Sequence, residues 1–344
     1  MLEIDGSYGE GGGQILRSAV ALSALTGQEL RISNIRAKRD RPGLAAQHLA
    51  AVRGVASLCD AELSRAEVGS TEITFSPGKV KGGEHRIDVG TAGSVTLVLQ
   101  ACLLASVNAE KATELEVIGG TNVRMSPPAD YYSNVLLPLL SRMGMDIKLE
   151  IVQRGFYPRG GGRVRAAMAP SAPGPLVLEE RGDLVEMGGT SFTQDLPDHV
   201  AERMSHAVRK RLLGEELRIR TERASGASPG AGIALYAKFR NTVLGADALG
   251  ERGVPSEKVG ESAARRLWEE LDGPGTLDVH AADQLVAYMA LAGGPSSFVV
   301  REVTEHLRTQ MWLVQQFLDV KFEVSKAGRG HRVEVVPTRT SPGR

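Results

Sequence analysis

Two patterns of apolar and polar positions run through the chain, and together they predict alternating strands and helices. Short runs with alternating polarity, such as 2–5, predict strands, whereas longer runs with apolar positions three or four apart, such as 15–27, predict helices. The predicted order over the first ninety residues is strand, glycine-rich loop, helix, strand, basic loop, helix and two strands, at positions 2–5, 6–14, 15–27, 30–35, 36–43, 44–60, 73–77 and 85–90.

A related layout recurs twice further along the chain. A glycine loop enters an apolar helix at 90–108, and a strand at 115–120, a loop and a helix at 131–144 follow. Near the end, an apolar helix at 280–294 precedes a strand at 297–303 and a final helix. Three loosely similar units predict internal repetition, which the low identity between them does not establish. The fold class is α/β (α+β).

A stretch of different character, 178–278, separates the second unit from the third. Its pattern predicts a small α/β domain inserted into a repeated body formed by 1–177 and 279–337, followed by a disordered tail at 338–344. The elements predicted within the stretch are a helix, a strand, a glycine- and serine-rich loop, a strand and a charged helix, at 198–214, 217–224, 225–232, 233–239 and 256–273.

Composition narrows the possible partners and the compartment. Lys plus Arg and Asp plus Glu both total 41 in the 344 residues, so any polyanion site must be a local cluster of charge. The N-terminal residues lack a leader pattern, and no apolar run is long enough to span a membrane, which predicts a cytoplasmic protein without a membrane partner. Cys59 and Cys102 lie in apolar helical patterns without metal-ligand spacing, so we expect buried, reduced thiols.

The loop Gly6–Gln14, GSYGEGGGQ, follows a strand and precedes a helix. Backbone N–H groups and a helix N-terminus there would suit an anion, although the loop lacks the Gly-Lys-Ser/Thr of a P-loop and departs from G-x-G-x-x-G. A carboxylate among the glycines, Glu10, is of the kind that holds magnesium together with substrate phosphates. Gln14 and Arg17 lie within one turn of the loop.

The loop RAKRDRPG forms a basic cluster after the second predicted strand. Such clusters are often only solvated surface, but this one lies at the edge where the glycine loop should also emerge, and guanidinium groups pair well with phosphates. Both interpretations stay open from the residues alone. The basic residues are Arg36, Lys38, Arg39 and Arg41, and Gln47 and His48 follow on the next helix.

Among the seven histidines, His306 differs in its position at the start of a helix. Thr304 can serve as N-cap, and the positive end of the helix favours a neutral imidazole and a bound phosphate. A neutral imidazole beside a phosphate is a candidate nucleophile, and a capped surface histidine is the alternative. The predicted buried stripe of this helix is Leu307, Met311, Val314 and Leu318.

Several motifs, taken in order, resemble the RNA 3′-terminal phosphate cyclase family. They are GSYGEGGGQILRSAVALS, RPGL-x-x-QH, GTAGSVTLVLQ, GGT…PPADY, GFYPRGGG, ADQLVAYMALAG and the final histidine helix, and they cover nearly the whole chain. The resemblance implies three βαβαββ-like repeats, as in enolpyruvyl transferases, with a small inserted α/β domain. It also implies cytoplasmic RNA processing with ATP and a divalent metal, magnesium or manganese, acting on RNA with a 3′-terminal phosphate.

The resemblance also implies a mechanism in which His306 attacks the α-phosphate of ATP and holds AMP as a phosphoramidate. AMP then passes to the RNA 3′-phosphate, and the neighbouring 2′-hydroxyl displaces it to close a 2′,3′-cyclic phosphate. Glu10, together with Asp283, would lie near the metal. The residues implied to hold the nucleotide are Gln100, His280, Ala281, Ala282, Asp283 and Gln284. Those implied to line the phosphate and RNA end are Arg17, Arg36, Arg39, Gln47 and His48.

This sequence departs from the family pattern at two positions, and two alternative functions are considered. Relatives often carry an aromatic residue where this chain has His280, which affects the expected contact with adenine. They often carry an asparagine where this chain has Gln310, which affects the expected support of His306. A catalytically silent branch of the superfamily acts in ribosomal RNA maturation but lacks the nucleophilic histidine. An enolpyruvyl transferase would use no covalent nucleotide, and the GEGGGQ loop and Ala-Asp-Gln segment argue against it. The physiological RNA, the preferred terminal base and the oligomeric state are left undetermined.

Overall fold

A computed structural model describes residues 1–212 and 217–338. These residues form a mixed α/β fold, as predicted, with four sheets of four strands each. The predicted tail lies outside the described residues except for Thr338, whose N–H donates to the carbonyl oxygen of Asp319 at 2.9 Å.

The first sheet positions the two loops that the sequence singled out. Its elements are β1 (Leu2–Asp5), α1 (Gly13–Thr26), β2 (Leu30–Ser33), α2 (Ala46–Leu58), β3 (Glu62–Ser64) and β4 (Ile73–Ser76). The order is β1-β2-β4-β3, with β1 and β2 parallel and the other pairs antiparallel. Because parallel strands end at the same edge, the glycine loop after β1 and the basic loop after β2 emerge side by side.

The second sheet has the same arrangement. Its elements are β5 (Gly83–Asp88), α3 (Val95–Ala105), β6 (Thr113–Gly119), α4 (Ala129–Tyr131), α5 (Leu137–Arg142), β7 (Ile147–Gln153) and β8 (Gly162–Met168). The order is β5-β6-β8-β7, with only β5 and β6 parallel. Tyr132–Leu136 forms a π-helical turn between α4 and α5. Pro138 accounts for it, because proline cannot donate to the carbonyl four residues back and its ring clashes there.

A separate sheet lies within 178–278, the stretch of different character. The elements here are β9 (Val177–Leu178), β10 (Leu184–Gln194), α6 (His199–Arg211), β11 (Leu217–Ala224), β12 (Gly230–Phe239), β13 (Val243–Leu249) and α7 (Ser256–Asp272). The sheet has the order β11-β10-β12-β13, and α6 and α7 pack on it around a separate hydrophobic cluster that includes Met204, Ile233 and Leu267. The sequence pattern did not predict β10 or β13.

The last segment of the chain forms the third sheet of the body, and β9 is the edge strand of that sheet. Its elements are α8 (Val279–Ala290), β14 (Ser296–Val300), α9 (Glu305–Phe317), β15 (Val320–Ala327) and β16 (Gly330–Pro337). The order is β15-β16-β14-β9, with only β9 and β14 parallel. The three body sheets therefore share strand order and pairing sense. Their origin as repeats, and their kinship with enolpyruvyl transferases, stay predictions.

The main core lies between the body sheets, where α1 packs on α2, α3 and α9, and α8 packs on α9. Val20, Leu99, Leu285 and Leu313 are fully buried in it. Both cysteines are free and buried, as expected. Across the described part of the chain, no helix combines the length and apolarity that crossing a membrane requires.

Candidate active site

A cavity of about 600 Å³ opens where the helices of the body face β13 and α7. This size is within the range of pockets that hold small-molecule ligands. Of the residues predicted for the site, six line the cavity: Arg17, Gln100, His280, Asp283, Gln284 and His306. The structure therefore brings together residues from α1, α3, α8 and α9 that are far apart in sequence.

His306 lies at the second position of α9, at the mouth of the cavity. Thr304 caps the helix, since its side chain accepts a hydrogen bond from the N–H of Leu307 at 3.1 Å. Leu307, Met311 and Val314 are buried, as predicted, whereas α9 ends at Phe317. Phe317 completes the buried face, and Leu318 beyond the helix end is only partly buried.

The imidazole of His306 is paired with the carboxylate of Glu10. Its Nδ1 lies 3.2 Å from Oε1 of Glu10, and the side chain of His306 is 49% exposed. With a proton on Nδ1 donated to Glu10, the lone pair of the ring lies on Nε2. Nε2 is then the nitrogen available to a ligand in the cavity. The sequence argument placed Glu10 at a metal, and this contact with His306 was not foreseen.

The glycine loop is docked on α9 and on the basic loop. The rings of Tyr8 and Trp312 stack with centroids 3.7 Å apart, and Nζ of Lys38 donates to the carbonyl oxygen of Gly9 at 2.9 Å. Gly9 has a φ of +55°, and a Cβ there would lie 2.4 Å from Oγ1 of Thr309. Only glycine fits this close approach without strain. The docking fixes Glu10, the next residue, against α9.

Gln14 and Gln310 tie α1 to α9 directly beneath His306. Nε2 of Gln14 donates to the carbonyl oxygen of His306 at 3.2 Å and lies 3.3 Å from Oε1 of Gln310. The same Oε1 accepts a hydrogen bond from Ser18 at 3.0 Å. The glutamine at position 310 therefore joins the two helices beside His306.

Arg17 and Asp283 are two titratable side chains that line the cavity. Burial lowers the pKa of Arg17 to about 10, with the nearby Asp283 opposing the shift, so the guanidinium stays charged at neutral pH. Desolvation raises the pKa of Asp283 to about 8, followed in size by repulsion from Asp278, with Arg17 opposing. Although partly accessible from the cavity, the Asp283 carboxyl is densely surrounded by protein, which favours its protonated form.

The predicted nucleotide-binding segment, 280–284, lies on α8, and its side chains point to different sides of that helix. His280, Asp283 and Gln284 share one face of α8 and line the cavity. Ala281 and Ala282 are fully buried in the core. The reason is helical periodicity, since positions one and two apart point in different directions. The structure thus does not place the side chains of Ala281 and Ala282 in the cavity.

Arg39 is the residue of the basic segment that pairs with Glu10 in the His306 site. Nη2 of Arg39 lies 3.6 Å from Oε2 of Glu10. Nη1 of Arg36 donates to the carbonyl oxygen of Gly43 at 2.7 Å, and Oε1 of Gln47 accepts from the N–H of Ser94 at 3.1 Å. Arg36 and Gln47 therefore have structural partners, and their contact with a substrate stays a prediction.

His48 is buried and has a structural partner of its own. Its Nδ1 accepts a hydrogen bond from the N–H of Ala45 at 3.2 Å, at the start of α2. Its Nε2 lies against Gly13, where a Cβ would be 2.0 Å away. Desolvation, followed by the charges of Arg17 and Arg36, lowers the pKa of His48 to about 3. The ring is therefore neutral at physiological pH.

Sequence reasoning missed the contribution of β13 and α7 and the cap of α8. Asp278 accepts hydrogen bonds from the N–H groups of His280 and Ala281, and also from Tyr131 at 2.6 Å and from Gly245 N–H at 2.9 Å. An aspartate before an apolar helix is an N-cap signal that was available. Nothing in the sequence indicated the cavity-lining residues Asp247, Lys258 and Arg266.

The donor set around Glu10 restricts how a metal can be held. The described ranges, 1–212 and 217–338, contain no group of three or more His, Cys, Asp or Glu side chains able to hold a metal ion. A magnesium-type ion needs only one or two carboxylates when phosphate oxygens and waters complete its shell. The half-exposed carboxylate of Glu10 fits that second arrangement and not a closed protein cage.

Comparison with known proteins gives a consistent match over nearly the whole chain. The family model described as RNA 3′-terminal phosphate cyclase matches residues 8–324. A protein of that name from Methanopyrus kandleri is 50% identical, covering 98% of this chain and 99% of the relative. Relatives of the same name from Nitrosospira multiformis and Archaeoglobus fulgidus are each 46% identical, covering 98% and 95% of this chain and 97% and 99% of their own. The chain therefore belongs to the RNA 3′-terminal phosphate cyclase family.

Proposed function

We propose that the protein uses ATP to convert the 3′-terminal phosphate of an RNA into a 2′,3′-cyclic phosphodiester, with His306 as covalent nucleophile. Membership of the family supplies the reaction class, a cyclase of the ligase type, and its substrates, RNA and ATP. The observation that carries the assignment of His306 is its Nδ1 contact of 3.2 Å with Glu10 at the mouth of the cavity. When a carboxylate holds one ring nitrogen of a histidine, the other nitrogen keeps a free lone pair and can act as a nucleophile.

In the first step, Nε2 of His306 attacks the α-phosphorus of ATP. A nitrogen–phosphorus bond forms, the bond to the bridging oxygen of the β-phosphate breaks, and pyrophosphate leaves with the electron pair. The imidazole becomes positively charged, and the carboxylate of Glu10 stabilises that charge through Nδ1–H. Arg17, in the cavity, and Arg39, beside Glu10, are cations suited to the charge that develops on the phosphate oxygens.

In the second step, an oxygen of the RNA 3′-phosphate attacks the phosphorus of the histidine-bound AMP. The nitrogen–phosphorus bond breaks, its electron pair returns to Nε2, and the RNA end becomes RNA(3′)pp(5′)A. The 2′-hydroxyl then attacks the RNA phosphorus, AMP leaves, and the hydroxyl proton passes to solvent. Adenylation is needed because a phosphate dianion has no good leaving group, and the vicinal hydroxyl attacks at high effective molarity.

The proposal includes a divalent metal ion, magnesium or manganese, bound together with the triphosphate of ATP. Glu10 is the carboxylate of this chain suited to hold it, and the ion would offset negative charge on the phosphates. Arg39, paired with the same carboxylate at 3.6 Å, would supply positive charge beside it.

The test is covalent labelling with ATP carrying a radioactive α-phosphate, followed by denaturation and peptide mass spectrometry. We expect one acid-labile AMP adduct on the peptide containing His306, and no adduct or cyclic product with His306→Ala. His85→Ala is the matched control, because His85 lies on β5 and outside the cavity. A binding or assembly factor without catalysis would give no adduct in the wild-type protein.

A second arm bypasses the first step. Supplied with synthetic RNA(3′)pp(5′)A, His306→Ala should still release AMP and close the ring, because the attacking hydroxyl belongs to the substrate. An adduct on a lysine, or full labelling of His306→Ala, would contradict the assignment of the nucleophile.

A further inference from the structure

The wall of the cavity opposite His306 is formed by α7, which presents a polar stripe. Lys258, Ser262 and Arg266 line the cavity at positions i, i+4 and i+8 of the helix. Residues four apart lie on one face of a helix, and eight residues extend about 12 Å along its axis. The stripe therefore follows the cavity wall over several ångströms.

The opposite face of α7 fixes the direction of this stripe. Ala263, Ala264 and Leu267 are buried against the sheet of β10–β13. Because that face is held in a hydrophobic cluster, the helix cannot rotate without exposing apolar surface. Lys258 and Arg266 are consequently held toward the cavity by packing.

The charges of the stripe are only weakly neutralised. Nη1 of Arg266 donates to the backbone carbonyl oxygen of Asp247 at 2.9 Å, and within the described residues Arg266 has no carboxylate at ion-pair distance. Its charge acts on the nearby Asp247 carboxyl, where it opposes the rise in pKa that burial causes. Lys258 pairs with Glu261 on its own helix at 2.8 Å, with both side chains largely exposed. Exposed pairs of this kind contribute little, so both cations remain available to an anion.

The residues proposed for adenylation all lie on the body side of the cavity, in α1, α3, α8, α9 and the two loops. AMP must pass from His306 to a second polyanion, so both substrates share this one cavity. From these positions we infer that the α7 stripe of Lys258 and Arg266 binds the sugar–phosphate backbone of the RNA, at nucleotides preceding the terminal phosphate; this inference rests on the proposed function. Contacts to phosphates are independent of base identity and weaken with salt.

The experiment measures two reactions with each variant, enzyme–AMP formation from ATP and ATP-dependent cyclisation of an RNA 3′-phosphate. Arg266→Ala and Lys258→Ala should each raise the KM for a ten-nucleotide RNA about tenfold and lower the slope of log affinity against log salt by about one. Enzyme–AMP formation should be unchanged. Shortening the RNA to a dinucleotide should remove the effect of Lys258→Ala.

Arg265→Ala is the matched control, since it removes the same charge from the adjacent position, outside the cavity, where Arg265 pairs with Glu269 at 3.8 Å. An unchanged RNA KM in both stripe variants would overturn the inference while leaving the proposed function intact. A rise in the KM for ATP equal to that for RNA would overturn it too, because it would assign the stripe to the nucleotide. Absence of enzyme–AMP in the wild-type protein would instead reject the proposed function.

Discussion

Glu10 can act on the reaction in two physically different ways. Its carboxylate lies 3.2 Å from Nδ1 of His306 and 3.6 Å from Nη2 of Arg39, and its side chain is 42% exposed. As a hydrogen-bond acceptor it orients the imidazole, and as an anion it can hold a metal ion. An amide of the same size preserves the first role and abolishes the second.

We therefore predict different outcomes for Glu10→Gln and Glu10→Ala. If orientation dominates, Glu10→Gln should keep most of the rate of enzyme–AMP formation, whereas Glu10→Ala should lose about 10- to 100-fold, as is typical when a partner that orients a ligand is removed. The measurement is the single-turnover rate as a function of metal concentration. Equally slow variants, with a shifted metal dependence in Glu10→Gln, would assign the metal role to Glu10.

At the scale of elements, the glycine loop acts together with α9. Tyr8 and Trp312 stack in a nearly parallel arrangement, with 12° between the ring planes. The Tyr8 ring lies two residues before Glu10, so this contact holds the loop where Glu10 meets His306. A substitution in the stacked pair weakens the contact between the loop and α9 but leaves Glu10 and His306 in place.

Trp312→Ala should slow enzyme–AMP formation about two- to tenfold, since stacking contributes about 0.5–1.5 kcal/mol beyond buried area. The effect should appear in the rate at saturating ATP, together with a lower thermal midpoint, because Trp312 is partly buried against the main core. Trp268→Ala is the control, because Trp268, the other tryptophan of the chain, is 55% exposed on α7. A rate unchanged by Trp312→Ala would show that Gly9 and Lys38 suffice to dock the loop.

At the scale of the whole molecule, the chain leaves the body and returns to it at one place. The hydroxyl of Thr276 donates to the carbonyl oxygen of Leu178 at 2.9 Å. We propose that 178–278 is an inserted domain and that 1–177 with 279–337 is the body, because adjacent ends and a separate hydrophobic cluster are typical of inserted domains. Leu178 itself pairs with β14 in the body sheet.

A largely buried ion-pair network around Arg154 crosses between these two parts. Arg154 pairs with Asp130 of the body at 2.7 Å and with Glu222 of β11 at 2.7 Å. Its guanidinium also lies 4.2 Å from the centre of the Phe192 ring. Removing one partner of a buried pair is costly, so the two parts depend on each other for stability.

Replacement of residues 180–274 by a short glycine–serine linker tests the division. The body should fold with a lowered thermal midpoint and form some enzyme–AMP, because His306, Glu10 and Arg17 belong to it. Transfer to RNA should be lost, because the wall of the cavity that α7 supplies is gone. Circular dichroism and the labelling assay measure the two outcomes. A soluble, folded body without any enzyme–AMP would contradict the division of roles.

The sequence by itself determined the elements whose signals are local. Periodicity and capping predicted β1, α1, α7 and α9, and Thr304 was predicted correctly as an N-cap. β10 and β13 were missed because they are glycine-containing and mostly buried, so they lack the period-two alternation of a half-exposed strand. The family motifs indicated His306 and Glu10 as members of one site.

Only the tertiary structure decided which side chains meet. The pairing of His306 with Glu10 joins residues almost 300 positions apart, and no local pattern encodes that approach. Ala281 and Ala282 belong to the same motif as Asp283, yet packing turns them into the core. The wall formed by α7 depends on how its apolar face is buried. Contacts of this kind are set by the packing of whole elements against each other, which local propensity does not specify.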